Sequence, residues 1–324
     1  MRGLEILQKI ARGINRVGQL VEPKDLARGP SEVPIRFEIE VKLNGETFAY
    51  VIAFGLQKGF KELRVVEEKL TVNGEPLISR ALLPNGRELL LLSGLNLDFP
   101  LDSQLVAFPM FASDRVSSFK QWLARALILR PIPGLIRGDY EQKTLEPTPE
   151  LADLGAWFAG LLDDMPSAYK AIDGYLKQVM PDFQAIRRRD SRNLVLQFSN
   201  QRGALEVPFQ DLSDGEKCFI IGSFVLAATE EYDHPVFCFW DEPDNYLALS
   251  EVQHFVMALR RAFGSRGQFM ATSHNPEAIR SFSNENTFLV YRNSHLEPTV
   301  LRPIDELKVN GDLVGALTRG DLEP

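Results

Sequence analysis

Three short stretches of this sequence place side chains capable of chemistry where a fold would gather them. Val236-Phe237-Cys238-Phe239-Trp240 is an uninterrupted apolar run that ends on Asp241-Glu242-Pro243. Phe269-Met270-Ala271-Thr272-Ser273-His274-Asn275 repeats the design, with an imidazole after the apolar part. Leu212-Ser213-Asp214-Gly215-Glu216-Lys217 stands just ahead of a long apolar stretch from Cys218 to Ala228. Paired carboxylates at a strand end suit a metal-nucleotide site, one holding Mg²⁺ directly or through water and the next polarising an attacking water. A hydroxyl and free backbone N–H groups at a helix start form an anion-binding arrangement.

The elements that must position these groups follow from hydrophobic pattern. An apolar run such as Val236 to Trp240 reads as a strand buried on both faces of a parallel sheet. Asp241 and Glu242 must then emerge at its C-terminal end, where open α/β sheets keep their ligand crevice. Gln268 to Thr272 reads as a neighbouring strand, which brings His274 to the same rim. Plainer readings exist for each piece taken alone. Asp-Glu-Pro after a strand also suits a turn with a helix N-cap, and Ser213 with Glu216 three residues on is a capping box.

In this order the three stretches resemble the signature motif, Walker B strand and switch histidine of ABC-type ATPase heads. These are the heads of RecF, SMC and OLD-like proteins, often grouped as AAA family ATPases. The resemblance implies an α/β fold, a P-loop NTPase core with an antiparallel β-subdomain and a helical lobe. Residue by residue it makes Asp241 the metal carboxylate, Glu242 the catalytic glutamate and His274 the switch histidine. Ser213, Gly215 and Glu216 then belong to the signature that touches the nucleotide bound to the opposite subunit. Asp244 to Leu249 stands at the D-loop position, with Tyr246 and Ala248 where Gly or His is more usual. The implied cofactors are ATP and Mg²⁺. The implied activity is ATP hydrolysis coupled to dimerisation in DNA maintenance or anti-phage defence.

One part of that pattern is missing. The phosphate loop G-x-x-x-x-G-K-[ST] cradles the triphosphate with backbone N–H groups and a lysine, and this sequence contains no Gly-Lys pair. The expectation is that the strand, loop and half-helix of the family pattern precede Met1 and are absent through a late-called start, a split gene or real loss, and that the chain as written binds ATP weakly at best. Gln19 is the nearest candidate for the glutamine that joins the metal shell. Two functions stay open: an ATPase completed by an upstream loop or a partner chain, or a pseudo-ATPase module lending its signature in trans. Either predicts a homodimer, or a heterodimer with a complete head.

The rest of the chain divides into three expected regions. Residues 1–102 hold an amphipathic helix from Leu4 to Val21 and an antiparallel meander of about five strands between Ile35 and Leu92. Its turns are marked by Asn44-Gly45, Asn73-Gly74 and Asn85-Gly86. Residues 103–205 form a helical lobe, with helices over Ser103 to Leu129 (interrupted or kinked by Pro109), Leu151 to Leu162 and Ser167 to Met180, then a hairpin from Phe183 to Phe198. Residues 206–324 form the ATPase core, closing with a short helix from Pro276, a strand from Thr287 to Tyr291 and a helix near Asp312 to Thr318. No heptad stretch predicts a long coiled-coil arm.

Composition narrows the partners. The 324 residues carry a formal charge of −8, so no overall basic field draws nucleic acid or an anionic membrane. Nucleic-acid contact would need a local patch, and Arg187, Arg188, Arg189 and Arg192 are the most basic cluster. No apolar run is long enough to span a bilayer and no secretory leader is legible, which predicts a cytoplasmic protein with no membrane partner. Cys218 and Cys238 lie in apolar surroundings and read as buried packing residues.

Overall fold

The computed structural model describes residues 1–26, 33–56, 61–82, 88–92, 101–111, 113–189, 192–264, 267–282, 286–306 and 315–316. These fall into two units, Met1–Ala126 and Leu127–Pro324.

The first unit opens with α1 (Arg2–Ala11), whose Ile6, Leu7, Ile10 and Ala11 are buried. The helix expected to reach Val21 stops here, and a separate single turn, α2 (Val17–Leu20), follows. Gly13 causes the break. It adopts φ +103°, its N–H donates to the Ile10 carbonyl and the Ile14 N–H reaches back to Lys9. That is the Schellman termination, which a residue without Cβ enters at little cost. The apolar spacing continues through the break because α1 buries Ile6, Leu7 and Ile10 and α2 buries Val17 and Leu20.

The meander is present as five strands in sequential order: β1 (Ile35–Leu43), β2 (Glu46–Gly55), β3 (Arg64–Val72), β4 (Glu75–Leu82) and β5 (Glu88–Leu92). The first two Asn-Gly pairs make the turns with both residues at positive φ, as a type I′ hairpin requires. The third pair lies outside the described residues. Phe48, Tyr50, Ile52 and Phe54 are fully buried, and Phe48 stacks on Phe119 of α3 (Asp114–Ala124) at 5.3 Å.

Glu68 of β3 is fully buried in this core. Its carboxylate accepts from the Tyr50 hydroxyl at 3.1 Å and from the N–H groups of Ala107 and Phe108, both at 2.8 Å. Burial raises its pKa, against the opposing pull of those two N–H groups and of the Arg80 charge. Glu68→Gln leaves one amide N–H facing another across this site, so the first unit should lose about 1–3 kcal/mol. The linkage sign follows from the raised value. Glu68's contribution is complete below its unfolded pKa of about 4.3 and declines as pH rises through the folded one. Denaturation midpoints measured across pH should show that decline in the wild type and not in Glu68→Gln.

The second unit carries the parallel sheet. Leu127–Leu129, expected within a helix, instead forms β6, pairing in parallel with Cys238–Trp240 of β10 (Val236–Asp241). A short apolar run suits a buried helix turn or a buried strand equally, so only the partner strand decides. On its other side β10 pairs in parallel with β11 (Gly267–Thr272), giving the order β11-β10-β6.

Helices α4 (Leu154–Asp164) and α5 (Ala168–Val179) occupy the expected positions. The hairpin gains a third strand, so that β7 (Phe183–Arg189), β8 (Asn193–Asn200) and β9 (Gly203–Pro208) form an antiparallel sheet. Helix α6 (Asp214–Glu231) is buried without interruption from Lys217 to Thr229. It is therefore a core helix with no solvent face, and its Phe224 stacks on Phe158 at 5.2 Å and meets Trp157 edge-on. Helix α7 (Leu249–Phe263) packs against α6, with Phe255 edge-on to Trp240. Gly222 permits this approach, since a Cβ there would stand 2.6 Å from the Phe255 ring.

The short helix after His274 is α8 (Pro276–Ser281), and a two-stranded sheet of β12 (Phe288–Tyr291) and β13 (Val300–Pro303) follows. Of the C-terminal helix expected near Asp312, only residues 315–316 are described, and they are helical. Among the described residues no helix is long and apolar enough to cross a membrane.

Candidate active site

The site is built at the rim where β10 and β11 end together. Val236 to Trp240 are buried, and the last paired residues are Asp241 and Thr272. Thr272 Oγ1 donates to Asp241 Oδ1 at 2.6 Å and accepts the Glu242 N–H at 3.1 Å. One hydroxyl thereby fixes a side chain and the next residue's backbone. Glu242 sits at φ +52°, a left-handed conformation that costs a residue with a side chain about 1–3 kcal/mol and concentrates at functional sites. Its carbonyl also accepts from the Asn245 N–H at 3.2 Å.

The structure brings His274 to this carboxylate, with Nε2 3.6 Å from Glu242 Oε1. The imidazole is 94% exposed and the Glu242 side chain 40% exposed, so both face the space beyond the sheet. Ser273 donates to Asp244 Oδ2 at 2.9 Å and accepts the Asn275 N–H at 3.0 Å. Asn275 in turn caps α8 through the Glu277 N–H.

Asp244 has a larger place in the site than its sequence position announced. It is 3% exposed, and its Oδ1 has no hydrogen-bond partner among the described residues. Burial raises its pKa, helped by the Glu242 charge and opposed by the Ser273 bond. The available signal was a third acid three residues after Asp241, but no pattern in sequence tells that this one turns inward.

Ser213 and Glu216 take the capping-box arrangement. Ser213 Oγ accepts the Glu216 N–H at 3.3 Å, while Glu216 Oε2 accepts both the Ser213 N–H and its hydroxyl at 2.8 Å. Gly215 faces the segment after Glu242, where a Cβ would lie 3.0 Å from the Tyr246 carbonyl. The neighbouring Asp214 shares a pocket of about 100 Å³ with Arg130, Lys217, Asp241, Glu242 and Asn245. The start of α6 therefore borders the same pocket as the carboxylates, although Ser213 itself does not line it. Cys218 Sγ contacts the Pro243 carbonyl at 3.1 Å, and burial pushes both cysteine thiols up, out of reactive range.

These residues fit the implied cofactors in part. Mg²⁺ is usually held by one or two carboxylates together with phosphates and waters. Asp241, with Oδ1 fixed by Thr272, suits such a ligand. Among the described residues no cluster of three His, Cys, Asp or Glu could hold a metal by itself. The pocket they line, about 100 Å³, is smaller than the roughly 300 Å³ usual for small-molecule sites. Gln19 belongs to the first unit. Of the arginine cluster, Arg188 pairs with Asp163 at 2.9 Å and lies over the Tyr140 ring, while Arg187 and Arg189 are exposed.

No protein-family model matches the chain, and no curated protein matches it significantly. Its structural neighbours are SMC ATPase head domains. The SmcHead bound to the C-winged helix domain of ScpA aligns at 12% identity and TM-score 0.44, over 80% of this chain and 76% of that one. The Smc head domain with an extended coiled coil, bound to the C-terminal domain of ScpA, from Pyrococcus furiosus aligns at 11% identity and TM-score 0.40. That match covers 94% of this chain and 86% of the other. The SMC head domain from Thermotoga maritima gives 12% and 0.35, over 79% and 74%. Likenesses this distant leave function to be argued from the site.

Proposed function

We propose that this chain carries the hydrolytic half of an ABC-type ATPase head, acting on ATP with Mg²⁺ once a phosphate loop is supplied by an upstream segment or a partner chain. The observation that carries this reading is the joint placement of Asp241, Glu242 and His274 on one strand-end rim, with Glu242 held in a left-handed conformation by Thr272. Asp241 holds the metal. Glu242, half exposed, orients and polarises the attacking water. His274 offers an imidazole N–H toward the outgoing phosphate. Bound Mg²⁺ supplies charge neutralisation on the phosphates.

Ser213, Gly215 and Glu216 serve the nucleotide of a neighbouring head in a homodimer or heterodimer, which requires Ser213 to exchange its Glu216 partner for a ligand. The work coupled to hydrolysis is nucleic-acid maintenance or defence against foreign DNA. The second reading, a pseudo-ATPase that lends only its signature, draws on the absent Gly-Lys pair and the small pocket.

Asp241→Asn tests the metal assignment. Nucleotide binding by the assembly that contains the phosphate loop should lose its Mg²⁺ dependence, while binding in EDTA stays as in the wild type. Titration of a fluorescent ATP analogue with and without Mg²⁺ reads this directly. An unchanged Mg²⁺ response would remove Asp241 from the metal shell.

A further inference from the structure

We infer that Thr272 and Asp244 are positioning residues that join Glu242 and His274 into one mechanical unit, so that displacement of the turn bearing His274 is transmitted to Glu242. The inference deepens the hydrolytic reading above and rests on it for its activity arm. The backbone ladder between β10 and β11 ends at Asp241 and Thr272. Beyond that pair two loops leave the sheet, and loops ordinarily move independently.

Here two side-chain bridges take over where the ladder stops. Thr272 Oγ1 spends its proton on Asp241 Oδ1 and a lone pair on the Glu242 N–H. A single atom of the β11 exit thus sets both the carboxylate orientation and the backbone conformation at the β10 exit. The second bridge runs from Asp244 to Ser273, whose oxygen also takes the Asn275 N–H. His274 is bracketed by these two bonded neighbours, and its own ring is nearly all exposed. Its 3.6 Å approach to Glu242 is therefore set by the turn rather than by packing around the ring.

Two costs mark these bridges as more than incidental. Glu242 is held at a positive φ, which relaxes toward extended backbone unless something retains its N–H. Asp244 has a buried carboxylate oxygen with no hydrogen-bond partner among the described residues, a desolvation cost that the Ser273 bond only partly offsets. Stability alone would favour an apolar or amide residue at that place.

Thr272→Val keeps the shape and strand preference but deletes the hydroxyl, and Thr272→Ser restores it. In the protein without nucleotide, amide exchange at Glu242 should rise at least about tenfold in the valine variant and return in the serine variant. In the intact protein, together with the phosphate loop that serves it, Thr272→Val should lower kcat by about 10- to 100-fold with KM for ATP little changed. Thr272→Ser should stay near wild type. A purely structural role would change the melting temperature without this split and without serine rescue.

Unchanged exchange at Glu242 in Thr272→Val overturns the inference whatever the activity. So does unchanged kcat in a preparation where Glu242→Gln is inactive. Full hydrolysis by Glu242→Gln would instead overturn the hydrolytic reading itself and, with it, this coupling.

Discussion

Glu242→Gln, made in the assembly that contains the phosphate loop, is expected to lower ATP hydrolysis by about two to four orders of magnitude while leaving nucleotide binding in place. Glutamine keeps the volume and reach of the side chain and removes the charge that polarises water. The backbone bond from the Glu242 N–H to Thr272 is indifferent to the substitution, so the strained turn and the Asp241 orientation should persist. On the proposed reading, in which hydrolysis is coupled to dimerisation, the variant should also accumulate as an ATP-bound dimer visible by sizing chromatography. The contrast with Asp241→Asn is diagnostic, because that change removes Mg²⁺-dependent binding as well. Hydrolysis near the wild-type rate in Glu242→Gln would dismiss the catalytic assignment and leave the pseudo-ATPase reading as the better account.

The second large effect concerns the core that supports the site. Trp157 of α4 is fully buried against Phe224 of α6, with ring centroids 5.6 Å apart. Trp157→Ala empties that space next to a helix buried along most of its length, and should cost about 3–5 kcal/mol. Trp157→Phe should cost much less. It keeps an aromatic ring against Phe224, and it deletes an indole N–H that has no partner among the described residues, a group whose burial is itself unfavourable. Thermal or urea denaturation of the second unit reads both. If phenylalanine proved as damaging as alanine, the indole N–H would have to be bonded, through an ordered water for example.

Much of this arrangement was legible in the chain because it is encoded locally. The run from Val236 to Trp240 ending on Asp241-Glu242 announces a buried parallel strand with carboxylates at its tip, and β10 is that strand. The Asn-Gly pairs at 44 and 73 announce type I′ hairpins, and β1 to β4 pair across them. Ser213 and Glu216 announce a capping box, and both of its bonds are present. In each case the physical cause lies within a few residues: alternation of side chains, a positive φ, or a hydroxyl three residues from a carboxylate.

What the sequence left undecided depends on distant partners. Leu127–Leu129 could be helix or strand until Cys238–Trp240 lay beside it. Gly13 could sit inside a helix, at a cost, until the left-handed cap closed on Ile10 and Lys9. Asp244 is one acid among many in the sequence, and only the fold buries it and turns it to Ser273. The same holds for Thr272, whose hydroxyl matters because Asp241 and Glu242 arrive from another strand. Periodicity and turn chemistry act within a few residues and survive in any context. Strand order, burial of a charge and backbone strain exist only once remote segments meet, so the sequence determined the chemical groups at the rim and the tertiary structure decided how they hold one another.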